Sequence, residues 1–106
     1  MQAHVLLVDD EEGPREALKF SLERKNKWWR ITTASSVDEA RRIIESPPPE
    51  LGAVEVVLTD LVMGRDHPEG GIEVLEIAKK KDPFIMVILF TGMFIFYLEF
   101  EPGPVL

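Results

Sequence analysis

The chain has 106 residues, 45% of them apolar and 29% charged, which suits one globular domain with a single core and excludes wholesale disorder. A net charge of -7 opposes binding of DNA or RNA by this chain alone, because affinity for a polyanion comes largely from Lys and Arg neutralising phosphates. The absence of cysteine excludes disulfides, thiolate metal sites and a cysteine nucleophile and fits a reducing cytoplasm; no secretory signal or membrane span is expected from the apolar runs.

Val5-Leu6-Leu7-Val8 is an unbroken apolar run that stops at Asp9-Asp10-Glu11-Glu12-Gly13, the pattern of a strand buried on both faces that ends at a polar edge. Pro14 suits a first helical turn, and Ala17, Leu18, Ser21 and Leu22 predict a helical stripe running to about Lys25. Trp29 to Ala34 is rich in β-formers and predicts a second strand. Of the adjacent tryptophans Trp28 and Trp29, one is expected to pack at the sheet edge and the other to lie on the surface. Ser36-Val37-Asp38-Glu39 has capping-box spacing and predicts a helix with Val37, Ala40, Ile43 and Ile44 inward, ended by the stiff loop Pro47-Pro48-Pro49.

Val54 to Asp60 repeats the design of the first strand, an apolar run terminated by an aspartate, and a glycine-rich loop follows. A third helix is predicted with Gly71, Val74, Leu75 and Ala78 on one face and Glu76 paired with Lys80, stopping before Pro83. Phe84 to Phe90 predicts another buried strand, ending in Thr91-Gly92. Strict alternation of strand and helix predicts an α/β fold, a doubly wound parallel sheet with helices on both faces. Ligands in such sheets sit outside the carboxyl ends of the strands, where Asp9, Asp10, Asp60 and Thr91 all fall.

Carboxylates gathered at one edge repel one another unless a cation sits among them, and an all-oxygen site with few protein ligands suits Mg2+ with its retained waters. An aspartate beside such a cation can attack a phosphoryl group, and the Thr91 hydroxyl can hydrogen-bond the same oxygens. Leu6-Leu7-Val8-Asp9-Asp10-Glu11, Leu58-Thr59-Asp60-Leu61-Val62-Met63 and Leu89-Phe90-Thr91-Gly92 together resemble the leading motifs of the response-regulator receiver (CheY-like) family, over residues 3–92. Gly70 to Leu75 resembles that family's start of helix three. The resemblance implies a flavodoxin-like fold with strand order 2-1-3-4. It implies that Asp60 accepts a phosphoryl group from a histidine kinase, that Asp9, Asp10 and Asp60 hold Mg2+ with the backbone carbonyl of Val62, and that Thr91 contacts the phosphoryl oxygens.

The chain departs from the family's pattern in places. Gly64 stands where proline is usual, and Arg65-Asp66-His67-Pro68-Glu69 lengthens the loop after Asp60, with Asp66 and His67 expected to be solvated rather than metal ligands. Residues 93–106 form an atypical C-terminal segment of the single domain 1–106: Phe100 falls at the usual lysine position, and no Lys or Arg follows Lys81. Only five residues separate Thr91 from Tyr97, whereas a parallel crossover needs about a dozen. A parallel fifth strand is thus excluded, which leaves an antiparallel hairpin around Gly92-Met93, a continuation of strand four, or pairing with another chain. An uncovered apolar edge favours partner capture, so a homodimer is expected, with exchange of this segment as one route.

Three functions compete: a phosphorylatable signalling receiver, a receiver-like binding or dimerisation module that has lost the switch, and a Mg2+-dependent hydrolase. The last is weakest, because Asp9-Asp10-Glu11 lacks the Asp-x-Asp pair of the haloacid-dehalogenase-like phosphatases. An enzyme is therefore not expected.

Overall fold

A computed structural model describes residues 2–91 and the backbone of residues 94–98. The apolar run at the start of the chain forms β1 (Ala3–Val8), whose Val5, Leu6, Leu7 and Val8 are completely buried because both faces of this central strand are covered. Around it lie α1 (Glu12–Lys25), β2 (Trp29–Ala34), α2 (Val37–Glu45), β3 (Val56–Asp60), α3 (Gly70–Lys81), β4 (Met86–Thr91) and β5 (Phe94–Leu98). The sheet order is β2-β1-β3-β4-β5, with β1, β2, β3 and β4 parallel and β5 antiparallel to β4. The expected doubly wound sheet with order 2-1-3-4 is present.

Of the alternatives for the segment after Thr91, the hairpin is the one adopted, with Thr91 opposite Phe94 and Val87 opposite Leu98. Gly92 and Met93, the side chains of Phe94 to Leu98, including Tyr97, and residues 99–106, with Phe100, lie outside the described residues.

Alternation along β1 divides the core. Leu6 and Val8 face α2 and α3 and pack with Val37, Ala40, Ile44, Val74, Leu75, Ala78, Val57 and Val87. Val5 and Leu7 face α1 in a smaller cluster with Leu58, edged by Leu18, Leu22, Trp29, Ile31, Val56, Ile88 and Phe90. Trp29 thus packs at the edge strand while Trp28 is exposed.

Some boundaries differ from the sequence expectation. The first helix, Glu12–Lys25, has Pro14 in its first turn and ends where expected, but none of its residues is fully buried: Leu18 and Leu22 are half-buried, and Ala17 and Ser21 face solvent. β3 begins at Val56 rather than Val54, and β4 at Met86 rather than Phe84. Asp82 explains the second shift, because its side chain accepts from the Phe84 N–H at 2.9 Å and its carbonyl from the Ile85 N–H at 3.1 Å, a turn that leaves Phe84 exposed. Glu76 and Lys80 form no salt bridge, consistent with the small energy of an exposed helical pair.

Local chemistry secures the rest. The Ser36 hydroxyl accepts from the Glu39 N–H at 3.1 Å and the Glu39 carboxylate from the Ser35 N–H at 2.9 Å, so α2 is capped as its spacing predicts. His4, buried in β1, has Nδ1 2.9 Å from the Gly52 carbonyl oxygen and Nε2 2.8 Å from the Thr32 hydroxyl. A carbonyl only accepts, so Nδ1 carries a proton, and the ring ties β1, β2 and the loop before β3 together. At the same end of the sheet the Lys79 ammonium donates to the carbonyls of Pro83 and Ile85.

Candidate functional site

The parallel register places the ends of β1, β3 and β4 side by side, so residues far apart in sequence meet at one edge. Asp9 follows β1 directly, its N–H still donating to the Ala34 carbonyl of β2 at 3.1 Å. Its carboxylate accepts from the Glu11 N–H at 3.0 Å, and its carbonyl accepts from the Arg15 guanidinium at 3.0 Å. These bonds turn the chain from β1 into α1 and hold Asp9 at the floor of the site, almost wholly buried. Asp10 is exposed above it.

Asp60 is the last residue of β3. Its carboxylate accepts from the Val62 N–H at 3.3 Å, and the next residue, Leu61, is fixed from both sides: its N–H donates to the Phe90 carbonyl at 2.7 Å and its carbonyl accepts from the Gly71 N–H at 2.9 Å. α3 thereby comes so close that a Cβ at Gly71 would lie 2.4 Å from the Asp60 carbonyl oxygen and 2.7 Å from the Leu61 Cα. Glycine is required there because the obstructing atoms are backbone.

The structure brings the three aspartates together: oxygens of Asp9, Asp10 and Asp60 lie within 4.8 Å of one another. Burial chiefly raises the Asp9 carboxyl above its ordinary pKa, aided by the Asp10 charge and opposed by the Glu11 N–H and by Arg15. Burial likewise raises Asp60, with Asp9 and Asp10 adding repulsion against the Val62 N–H. An all-oxygen cluster with unrelieved negative charge and one side open to water has the donor chemistry of a hard divalent cation such as Mg2+.

Asp10, Asp60, Val62 and Thr91 line one cleft of about 460 Å3 together with Glu11, Gly64, Arg65 and Pro68. Thr91 and Val62 thus line the cleft beside Asp60. Asp66 and His67 are exposed and line a neighbouring depression with Glu69, Glu73 and Glu76. Sequence reading missed Arg65 in the cleft, the contact of Arg15 with Asp9, and the reason for Gly71. The one local signal was the glycine at 64, whose φ of +83° lets the lengthened loop turn back against Asp10.

Residues 5–94 match the family model described as the response regulator receiver domain. The chain is 35% identical over 91 residues to the hydrogenase transcriptional regulatory protein HoxA of Cupriavidus necator, covering 86% of this chain and 17% of that protein. It is 28% identical over 88 residues to the photosynthetic apparatus regulatory protein RegA of Cereibacter sphaeroides, covering 83% of this chain and 42% of that one. The chain thus spans less than half the length of either regulator. A crystal structure of a response regulator receiver domain protein from Clostridium thermocellum superposes with a TM-score of 0.70 at 33% identity, covering 86% of this chain and 66% of that one. With its sheet order, its aspartate cluster and these similarities in accord, the chain belongs to the response regulator receiver family.

Proposed function

We propose that this domain receives a phosphoryl group from the phosphohistidine of a histidine kinase on Asp60, in two-component signal transduction in the cytoplasm. The observation that carries this reading is the meeting of Asp9, Asp10 and Asp60 within 4.8 Å, with Asp60 opening onto the cleft. Asp9, Asp10 and Asp60, with the Val62 carbonyl, would hold Mg2+, which when bound neutralises charge on the transferring oxygens. The chain's own residues do the rest. The Val62 N–H orients the Asp60 carboxylate, its other oxygen attacks phosphorus, and the Thr91 hydroxyl bonds the phosphoryl oxygens. Residues 1–92 carry this site and 93–106 an atypical extension of the same domain.

Incubation with Mg2+ and acetyl phosphate followed by intact mass should add one phosphoryl group to the wild type and none to Asp60→Asn. An unmodified wild type would overturn the phosphoacceptor reading in favour of a binding module. Steady hydrolysis of a phosphomonoester would point instead to an enzyme.

A second reading, a dimerisation module, is favoured by β5. This edge strand has the sequence Phe94-Ile95-Phe96-Tyr97-Leu98, without a charge or proline to discourage pairing. Pairing or exchange of β5 between two copies should give a mass above the monomer in light scattering at micromolar concentration. A monomer mass there would sink it. The net charge of -7 argues against nucleic acid as the partner of this chain.

A further inference from the structure

Three carboxylates exceed what one divalent ion neutralises, and a phosphoryl group arriving at Asp60 adds more negative charge to the same cleft. The chemistry therefore calls for a protein cation at the cleft. Arg15 points to the Asp9 carbonyl and lies 3.6 Å from the Glu16 carboxylate. Lys79 is bound to carbonyls at the other end of the sheet. Arg65 remains. It lines the cleft with Asp10, Asp60 and Thr91, and it is exposed and makes no ion pair or hydrogen bond among the described residues.

The backbone holds it there. The His67 N–H donates to the Gly64 carbonyl at 3.3 Å and the Met63 N–H to the His67 carbonyl at 2.9 Å, closing a turn with Arg65 and Asp66 at its tip. Gly64 sits against the site: a Cβ there would be 3.4 Å from an Asp10 carboxylate oxygen. The residue that follows therefore leaves the backbone at the rim of the acidic cleft, on a side chain long enough to reach inward. A guanidinium suits the task, since its fixed fork of donors matches phosphoryl oxygens and its charge does not titrate.

We infer that Arg65 is the phosphoryl-binding cation of this site, pairing with the phosphoryl oxygens as they transfer to Asp60 and after they arrive. The inference rests on the phosphoacceptor reading above. With acetyl phosphate as donor, the P–O bond to acetate breaks as one to an Asp60 oxygen forms. Acetate leaves as a carboxylate with the bonding pair, and no proton moves. Arg65 neutralises charge on the equatorial oxygens throughout.

The test compares the full chain with Arg65→Ala and Arg65→Lys. It measures the initial rate of phosphoryl addition from acetyl phosphate by intact mass, and Mg2+ affinity by calorimetry. Arg65→Ala should label slower by on the order of tenfold, less than is lost on removing a donor from a water-excluded site, because the cleft is open. Its Mg2+ affinity should stay unchanged or rise, since a positive charge leaves the neighbourhood of the carboxylates, and Arg65→Lys should recover part of the rate. Labelling of Arg65→Ala at the wild-type rate would overturn the role of Arg65 and leave Asp60 as acceptor. Slow labelling with weakened Mg2+ binding would also overturn it, because the loop would then serve the metal and not the phosphoryl group. A wild type that takes no phosphoryl group would remove the acceptor reading, and the role of Arg65 with it.

Discussion

On the face of the sheet covered by α2 and α3, Leu6, Val8, Val57 and Val87 are completely buried. On the α1 face Val5 and Leu7 of β1 are buried as completely, but toward β4 the cover gives out: Val56, Ile88 and Phe90 are half-buried, and Met86 is 38% exposed. Alternating residues of similar apolar character therefore have different fates, decided by what lies over them. Two helices packed on each other close the first face. Among the described residues, α1 alone covers the second, and it contacts β1 and β2 rather than β4. The closed face anchors β1 and β3, whose parallel register brings the aspartates together. The open face leaves apolar surface of the kind that association hides.

Truncation on the two faces should separate them most. Leu6→Ala should cost about 4 kcal/mol, as expected for a fully buried leucine in packed surroundings, whereas Ile88→Ala should cost about 1.5 kcal/mol because part of its side chain already meets water. Urea unfolding with unchanged m-values measures both. Equal losses would mean that the α1 face is as closed as the other, and a concentration-dependent midpoint would trace the closure to a second copy.

Glycine replacements give the next largest contrast. Gly71→Ala must push α3 off the Asp60 and Leu61 backbone and should cost about 2 kcal/mol. Gly13→Ala in α1, where nothing lies within 4 Å of the added carbon, should instead stabilise by a few tenths, up to about 0.5 kcal/mol. Thermal unfolding that ranked these two the other way would show that α3 is not pinned to the end of β3.

The smallest effect belongs to the site's own charge. With the Asp60 pKa raised above its ordinary 3.8 in the folded chain, the unfolded chain loses its proton first as pH rises. The stability of the protonated form is fully present below 3.8 and is lost as pH climbs through the raised native value. Asp60→Asn, which cannot ionise, should therefore be more stable than the metal-free wild type at pH 7, by a margin that solvent screening keeps smaller than the packing effects above. The gap should close below the ordinary carboxylate range, and Mg2+ should stabilise the wild type more than the variant. Identical pH profiles would mean that neither burial nor the neighbouring aspartates penalise the Asp60 charge in the folded chain.

Much of this was legible in the chain because the signals are local. An apolar run ended by Asp9 and another ended by Asp60 specify two buried strands with carboxylates at their ends, and alternation with helices makes those strands parallel neighbours. Ser36 and Glu39 announce their cap by spacing alone. Five residues between Thr91 and Tyr97 are too few for a parallel crossover, so the count alone excludes a parallel β5, and the strand pairs antiparallel. Tertiary structure decided what periodicity cannot encode. Ala17 and Ser21 lie on a helical stripe yet face water, because burial depends on the neighbour above the stripe and not on the stripe. Gly71 is required by the backbone of another element, and Arg65 reaches the cleft only because Gly64 turns its loop onto Asp10; both are contacts across space, with no period in sequence to reveal them.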